Sequence, residues 1–424
     1  MSDQLKSLGI EIKQGYVKEN LIPRPDLVIV GNVIRKSYEE AEALLESDIP
    51  YTSLPKAIGE FVIQDRNSVV LTGTHGKTTM TTLMSWIAQS CELNPGFLIG
   101  GVPLNFDRSF QIPKGDWWVI EGDEYDTAFF DKVPKFIHYR PKYVVISSIE
   151  FDHADIYNDI HEIKSVFRKL VELIPEDGVL VAHGSDENVL EVIQGARCKV
   201  VTYGEKECDY TFEDRQSING RNNFTVVKNQ ERVADIAVKQ FGLHNTLNVL
   251  ACYALSREMG WSESAILNAL ASFKGVKRRQ EHIGELNGSP LIEDFAHHPT
   301  AVELTIEAMR EAYPDRRICA VFEPRSNTSR RKIFQREYVQ ALEGADWSLI
   351  KTPFDQSRIA RSDRLSVEEI VEEINLHGGK SQSFESTEEI VKTLKESITP
   401  RDVVLIMSNG GFDGIYDQLK GKVL

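Results

Sequence analysis

The β-branched run Val69-Val70-Leu71-Thr72 leads straight into Gly73-Thr74-His75-Gly76-Lys77-Thr78-Thr79, and the helix-like stretch MTTLMSWIAQS follows. A strand, a glycine loop and a helix start in that order can cradle a phosphate. Glycines let backbone N–H groups turn inward, and the helix N-terminus adds the positive end of its dipole. In that frame Lys77 sets a point charge on the β- and γ-phosphates, and the Thr78 hydroxyl is placed to ligate Mg2+. The strict pattern G-x-x-x-x-G-K-[ST] is not met, because Leu71 stands at the first glycine position. A tight turn without a ligand is the bland alternative; the strand–loop–helix context favours a nucleotide-phosphate site.

An ATP-using site needs a further metal contact, and two predicted strand ends offer one. VIEGDEYD carries Glu121, Asp123, Glu124 and Asp126, oxygen donors of the kind Mg2+ takes, unless the run is a solvated acidic loop. IEFDHADIY sets Asp152 and His153 just past an apolar strand, where a histidine is either a ligand or a structural hydrogen-bond partner. GLHNTLN opens a helix with His244, Asn245 and Asn248. Amides at i and i+3 share a face and suit the donor–acceptor edge of adenine, although Asn at a helix start is also a common cap. FKGVKRRQE puts Arg278 and Arg279 at a domain junction, as a fork for a transferring phosphate or as an exposed basic patch. EDFAHHPTA brings Asp294, His297 and His298 ahead of Pro299, the first residue of a helix; a metal site and a nucleotide contact both fit.

These segments need a scaffold. A chain of 424 residues exceeds one core and implies two or three domains. Residues 1–66 read as α/β: a polar helix, a short strand at IEIKQGY, the run DLVIVGNVI and the helix YEEAEALLES. DLVIVGNV resembles a strand of a parallel sheet buried on both faces, and it ends at Gly31-Asn32, where such strands meet ligands. Residues 67–284 form a larger unit with strands at SVVLTG, DWWVIEG, KYVVISSI and DGVLVAHG. A hairpin there turns at Lys228-Asn229-Gln230-Glu231, before the helices NTLNVLACYALSREMG and SESAILNALASF. From 285 to 424 the strands SPLIEDF, RRICAVFEP, ADWSLIK and DVVLIMSNGG alternate with helices, as in a doubly wound parallel sheet.

Composition narrows the class. No apolar run reaches the roughly 18 residues of a membrane helix, and the start has neither an apolar signal core nor an Arg-rich character. Five scattered cysteines show no zinc or CxxC spacing and read as reduced thiols. A net charge of -15 argues against a general nucleic-acid binder. The expectation is a soluble cytoplasmic protein with no nucleic-acid or membrane partner.

In this order, TGTHGKTT, EGDEYD, FDHADIY, GLHNTLN, FKGVKRRQE, DFAHHPT and MSNGGFDGI resemble the motifs of the Mur ligase family, the ATP-dependent amide ligases of bacterial cell-wall precursor synthesis. The resemblance covers nearly the whole chain after residue 66, and the family's loop, TGT-x-GKT[TS], makes Leu71 ordinary. It implies a three-domain α/β architecture: a truncated N-terminal Rossmann-like domain for the UDP-sugar (1–66), a central P-loop ATPase domain (67–284) and a C-terminal Rossmann-like acceptor domain (285–424). It implies ATP and Mg2+ as cofactors. Gly73, Thr74, His75, Gly76, Lys77, Thr78 and Thr79 would hold phosphates. His244, Asn245 and Asn248 would meet the nucleotide, the two amides facing adenine, with Asp294 and His297 approaching from the C-terminal domain. Thr78 and Glu121 would hold one Mg2+ and His153 a second, while Lys77 and Arg279 neutralise phosphate charge. Arg325, Ser326, Asn327, Thr328, Ser408 and Asn409 would contact the acceptor, and Gly31 and Asn32 the sugar nucleotide.

Within the family, FLIGGVPLNF, AFFDK, IEFDHADIY, EDFAHHPTA, EPRSNT and MSNGGF resemble one branch. That branch joins UDP-N-acetylmuramate to the murein tripeptide L-alanyl-γ-D-glutamyl-meso-diaminopimelate in peptidoglycan recycling; the alternative is the sister that adds L-alanine. The implied reaction runs through an acyl phosphate, formed by the lactyl carboxylate and opened by the acceptor amine. Two departures stand out. Ser148 occupies a position where the family has Asn. The family's opening G-x-G-G-x-G loop is missing, so the expectation is a native start further upstream or a truncated product. Without that loop the alternative is an ATP-binding remnant lacking ligase activity.

Overall fold

The computed structural model describes residues 5–419 apart from 7, 155, 219 and 358. In the first unit, β1 (Val28–Val30), α1 (Glu39–Glu46) and β2 (Tyr51–Ser53) surround a small core of Val30, Leu44 and Ile49. β1 and β2 pair in parallel as a two-stranded sheet. Two expectations fail here. IEIKQGY forms no strand, and β1 is not buried on both faces, since Ile29 is 50% exposed. Among the described residues β1 has one neighbouring strand, and its second face is left open; Val33 and Tyr51 are exposed as well. The polar helix expected at the start lies in part outside the described residues.

The second unit is built on ten strands. In chain order its elements are β3 (Asn67–Thr72), α2 (Lys77–Ser90), β4 (Gly96–Leu98), β5 (Phe110–Gln111) and β6 (Trp117–Gly122). A small separate hairpin, β7 (Asp126–Ala128) and β8 (Asp131–Pro134), follows, then β9 (Tyr143–Ile146), α3 (Ile160–Leu173), β10 (Val179–His183), α4 (Glu187–Val192) and β11 (Lys199–Tyr203). The unit closes with β12 (Tyr210–Ile218), β13 (Arg221–Lys228), β14 (Glu231–Val238), α5 (Leu243–Glu258) and α6 (Glu263–Ser272). The sheet runs β14-β13-β12-β11-β10-β9-β3-β6-β4-β5, with its centre parallel and the β12–β14 meander antiparallel.

Period-two alternation explains why the central runs are apolar throughout. Val69, Leu71, Val119, Val145 and Val181 point to one face, against Met80, Leu83 and Ile87 of α2 and the apolar side of α5. Val70, Ile120, Val144, Ile146 and Leu180 point to the other, against α3. α3 buries Ile163, Phe167, Leu170 and Val171, a helical spacing, and Asp159 caps it by accepting from the backbone N–H of His161 and Glu162. Phe167 is fully buried; truncating such a ring to Ala costs about 3–5 kcal/mol.

The third unit comprises β15 (Glu281–Leu286), β16 (Ser289–Asp294), α7 (Pro299–Ala312), β17 (Arg317–Phe322), α8 (Gln335–Glu343) and β18 (Trp347–Lys351). It continues with α9 (Val367–Leu376), β19 (Ser381–Phe384), α10 (Thr387–Ser397) and β20 (Asp402–Met407). The order is β15-β16-β20-β17-β18-β19, and only β15 is antiparallel to its neighbour. β20 inserts between β16 and β17, so the strand ends at Asp294 and Ser408 open onto a crevice where such sheets take ligands.

Candidate active site

The loop between β3 and α2 is fixed by close packing. Gly76 has φ +84, and a Cβ there would stand 2.3 Å from Asn248 Oδ1. Gly73 has φ +124, and its Cβ would meet Ser147 Oγ at 2.2 Å and the Ser148 backbone nitrogen at 2.8 Å. No other residue type fits either place without a shift of the neighbouring chain. Ser147 donates its hydroxyl to the His75 carbonyl (2.6 Å), and the Thr74 N–H donates to the Ser148 carbonyl (2.8 Å). The Ser148 hydroxyl oxygen accepts from the His75 N–H at 3.3 Å, so the serine at this departure from the family pattern still ties the loop to the end of β9.

The acidic run after β6 divides by partner. Asp123 and Asp126 pair with Lys135 (2.8 Å) and Lys132 (2.5 Å). Glu121 and Glu124 turn toward the loop. Glu121 accepts from the Thr78 hydroxyl (2.9 Å) and the Gly100 N–H (2.6 Å). Glu124, 3% exposed, lies 3.0 Å from Lys77 Nζ and accepts from His153 Nε2 at 3.1 Å. Tyr157 donates its hydroxyl to the Glu124 carbonyl. Burial pushes Glu121 up, and the charge of Asp123 adds to the push. Burial also opposes ionisation of Glu124, but Lys77 and His153 outweigh it and hold the carboxyl at about 2. Lys77 is raised despite its burial, because Glu124, Asp123 and Glu121 face it. His153 is likewise raised by Glu124 and Asp152 against the effect of burial.

The Thr78 hydroxyl beside the Glu121 carboxylate, with Asp123 next to it, is a donor set that fits a hard divalent cation. His153 stands apart from Thr78 and Glu121, joined to their side of the site through Glu124 and Lys77.

A cleft of ≈ 520 Å³ opens between the second and third units over this loop. Loop residues from Thr74 to Thr79, together with His244, Asn245, Asn248, Arg279, Asp294 and His297, line it. Asn245 donates to the Phe241 carbonyl (2.9 Å) and Asn248 to Asn245 Oδ1 (3.4 Å), so both amides are already oriented. Burial holds His244 and His297 at about 4, so both rings are neutral at pH 7. His297 donates from Nδ1 to the Phe295 carbonyl (3.0 Å). Asp294 accepts from the Gln280 and Ala296 N–H groups, both at 2.8 Å. Both adjacent arginines lie over the Phe295 ring, at 5.1 and 4.9 Å, but Arg278 bonds Glu293 (2.6 Å) and the Ser408 carbonyl (2.8 Å), clamping β16 to β20, whereas Arg279 lines the cleft.

The EPRSNT segment reaches across to the second unit: Thr328 donates to Asp152 Oδ1 at 3.0 Å. Arg325 lies 3.3 Å from Glu323 and 5.6 Å over Phe354, packed beside Gly410, where a Cβ would stand 2.1 Å from Arg325 Cδ. Ser326 bonds Ser329, and Asn327 accepts from Arg330. Ser408 donates to Glu323 (2.6 Å), and the buried Oδ1 of Asn409 has no hydrogen-bond partner among the described residues. Gly31 and Asn32 follow β1 and do not line this cleft.

Glu150 and Lys351 carry no signal in the sequence that marks them. Glu124 stands in the acidic run VIEGDEYD, but nothing in its spacing distinguishes it from Glu121. Lys351 ends β18, 4% exposed, and pairs with Asp413 and, at 3.6 Å, Glu323; only the register of that strand reveals it.

Residues 71–256 match the Mur ligase middle domain, and residues 278–410 the Mur ligase glutamate ligase domain. The chain is 37% identical over 421 residues to the UDP-N-acetylmuramate–L-alanyl-γ-D-glutamyl-meso-2,6-diaminoheptandioate ligase of Escherichia coli, covering 99% of this chain and 89% of that protein. It is 32% identical to the UDP-N-acetylmuramate–L-alanine ligase of Acetivibrio thermocellus, covering 97% of this chain and 86% of that one. The crystal structure of a murein peptide ligase from Psychrobacter arcticus superposes with a TM-score of 0.71 at 33% identity, covering 99% of this chain and 90% of that one. No helix among the described residues is long and apolar enough to cross a membrane.

Proposed function

As the chain belongs to the Mur ligase family of ATP-dependent ligases that form C–N bonds, we propose that it joins UDP-N-acetylmuramate to L-alanyl-γ-D-glutamyl-meso-diaminopimelate. The observation that carries the choice of acceptor is the greater identity to the tripeptide-adding ligase than to the L-alanine-adding one. The acceptor-side residues suit it. Arg325 offers a forked cation to a carboxylate-rich peptide, and the orphaned Oδ1 of Asn409 offers an acceptor to an amine or amide.

In this reading the lactyl carboxylate takes the γ-phosphoryl group of ATP, giving an acyl phosphate and ADP. The amine of the peptide then adds to the acyl carbon, and inorganic phosphate leaves. Gly73 to Thr79 surround the phosphates with backbone N–H groups, Lys77 and Arg279 neutralise their charge, and Asn245 and Asn248 present amides to adenine, flanked by His244. Asp294 and His297 approach the nucleotide from the third unit. Thr78 and Glu121 would hold one Mg2+ and His153 a second, and these ions would supply further neutralisation of the developing phosphate charge. Arg325, Ser326, Asn327, Thr328, Ser408 and Asn409 hold the acceptor, and Gly31 with Asn32 meets the sugar nucleotide. The Thr328–Asp152 bond couples the acceptor segment to the segment that carries His153, which ties the acceptor side of the cleft to the phosphate side. Alignment of two bound reactants can supply roughly 7–11 kcal/mol of the barrier.

The acyl phosphate is testable by oxygen tracing. UDP-N-acetylmuramate labelled with 18O in its lactyl carboxylate should pass one labelled oxygen into the released phosphate. Unlabelled phosphate would exclude the intermediate.

A further inference from the structure

Away from Thr78 and Glu121, three side chains from three separate segments converge in the wall of the cleft. His75 comes from the loop before α2, Glu150 from the segment after β9, and His298 from the residue that precedes α7 in the third unit. His75 Nε2 lies 3.4 Å from Glu150 Oε1, and His298 Nδ1 lies 3.7 Å from Glu150 Oε2. All three donor atoms fall within 4.8 Å of one another.

The hydrogen bonding around them is incomplete in a specific way. Both of these imidazole nitrogens are buried and have no hydrogen-bond partner among the described residues. The other nitrogen of His298, Nε2, sits 3.3 Å from the Phe151 carbonyl, which only accepts. In the neutral ring Nε2 therefore carries the hydrogen, and Nδ1 turns a lone pair toward a carboxylate. Two acceptors facing each other across a buried gap repel unless a cation stands between them. The supporting groups are those that metal sites use: a backbone carbonyl orients the histidine, and the Thr300 hydroxyl, 2.6 Å from Glu150 Oε2, orients the carboxylate.

We propose that His75, Glu150 and His298 form a binding site for a Zn2+-class divalent cation, distinct from the phosphate-side Mg2+ locus, that staples the second unit to the third across the cleft. Tetrahedral ligands at about 2.0–2.1 Å from zinc stand roughly 3.3–3.4 Å apart. The two histidine–carboxylate distances, 3.4 and 3.7 Å, are close to that spacing, and the three donor atoms, which lie within 4.8 Å of one another, draw together on binding. Two imidazoles and one carboxylate select zinc over magnesium, which takes oxygen donors. All three residues line the cleft, so a fourth ligand would be water or an anionic oxygen.

The test uses the whole chain, stripped of metal and titrated with Co2+ in excess Mg2+. One Co2+ per chain should bind with the visible absorption of a tetrahedral site, and Zn2+ should displace it. His298→Gln and Glu150→Gln should each weaken binding by at least about tenfold, while Glu121→Gln leaves the Co2+ spectrum intact. X-ray absorption on the zinc-loaded, unmutated chain reads the ligands directly, independent of how the variants fold. Two imidazoles with oxygen support the site; sulfur ligation, absence of imidazole scattering, or no tightly bound ion overturns it.

Discussion

Replacing Glu124 by Gln removes one buried charge at nearly constant volume, and its cost can be worked by two routes. The carboxylate is 3% exposed and lies 3.0 Å from Lys77 Nζ and 3.1 Å from His153 Nε2. Deleting one partner of a buried pair costs about 3–5 kcal/mol, because the other charge is left uncompensated. The second route uses the carboxyl itself, held at about 2 against an ordinary 4.5, which corresponds to about 3 kcal/mol at pH 7. The two agree. At roughly 2–4 °C per kcal/mol for a unit of this size, the unfolding transition of the second unit should fall by roughly 6–12 °C. The sign with pH follows from the depressed folded-state value: the contribution is complete above 4.5 and is lost as pH falls from there toward 2. Calorimetric melts of both proteins between pH 8 and pH 3 should show a constant gap at neutral pH that narrows in acid. A gap below about 2 °C at pH 7, or one that widens in acid, would refute the reasoning.

Three further outcomes follow from the same geometry. Gly76→Ala forces a side chain into φ +84 and against Asn248 Oδ1; the backbone alone costs about 1–2 kcal/mol, and ATP affinity by calorimetry should fall at least about tenfold, whereas unchanged affinity would remove the loop from the nucleotide site. Thr78→Val keeps the shape and deletes the hydroxyl that meets Glu121; the Mg2+ concentration for half-maximal turnover should rise about tenfold with an unaltered melting curve, and an unchanged Mg2+ requirement would displace Thr78 from the metal. Arg325→Lys swaps a fork for a point charge; KM for the peptide should rise about tenfold while KM for ATP holds, and equal changes in both would deny Arg325 an acceptor-side role.

What could be read from sequence was what local pattern encodes. Val69 to Leu71 and Val144 to Ile146 are apolar at every position because both faces of their sheet are covered, so the central strands were legible. The glycine loop was legible because its backbone demands fix residue types at Gly73 and Gly76. β19, Ser381–Phe384, was not: it is an edge strand with no β-branched residue to mark it. IEIKQGY alternates like a strand, yet no neighbour pairs with it, and tertiary pairing overrides pattern. The side-chain network was the least legible part. Glu121 and Glu124 differ only in whether Thr78 or Lys77 stands opposite. His75, Glu150 and His298 meet only because the third unit packs over the loop, a relation no spacing expresses.

The most direct test of the central claim is acceptor-dependent turnover. The full chain is supplied with ATP, Mg2+ and UDP-N-acetylmuramate, and phosphate release is followed with tripeptide, with L-alanine and with no acceptor, each product identified by mass spectrometry. The account predicts phosphate release coupled to a new UDP-muramyl tripeptide only when the tripeptide is present. Turnover with L-alanine instead, or ATP binding without any turnover dependent on the sugar nucleotide, would contradict it.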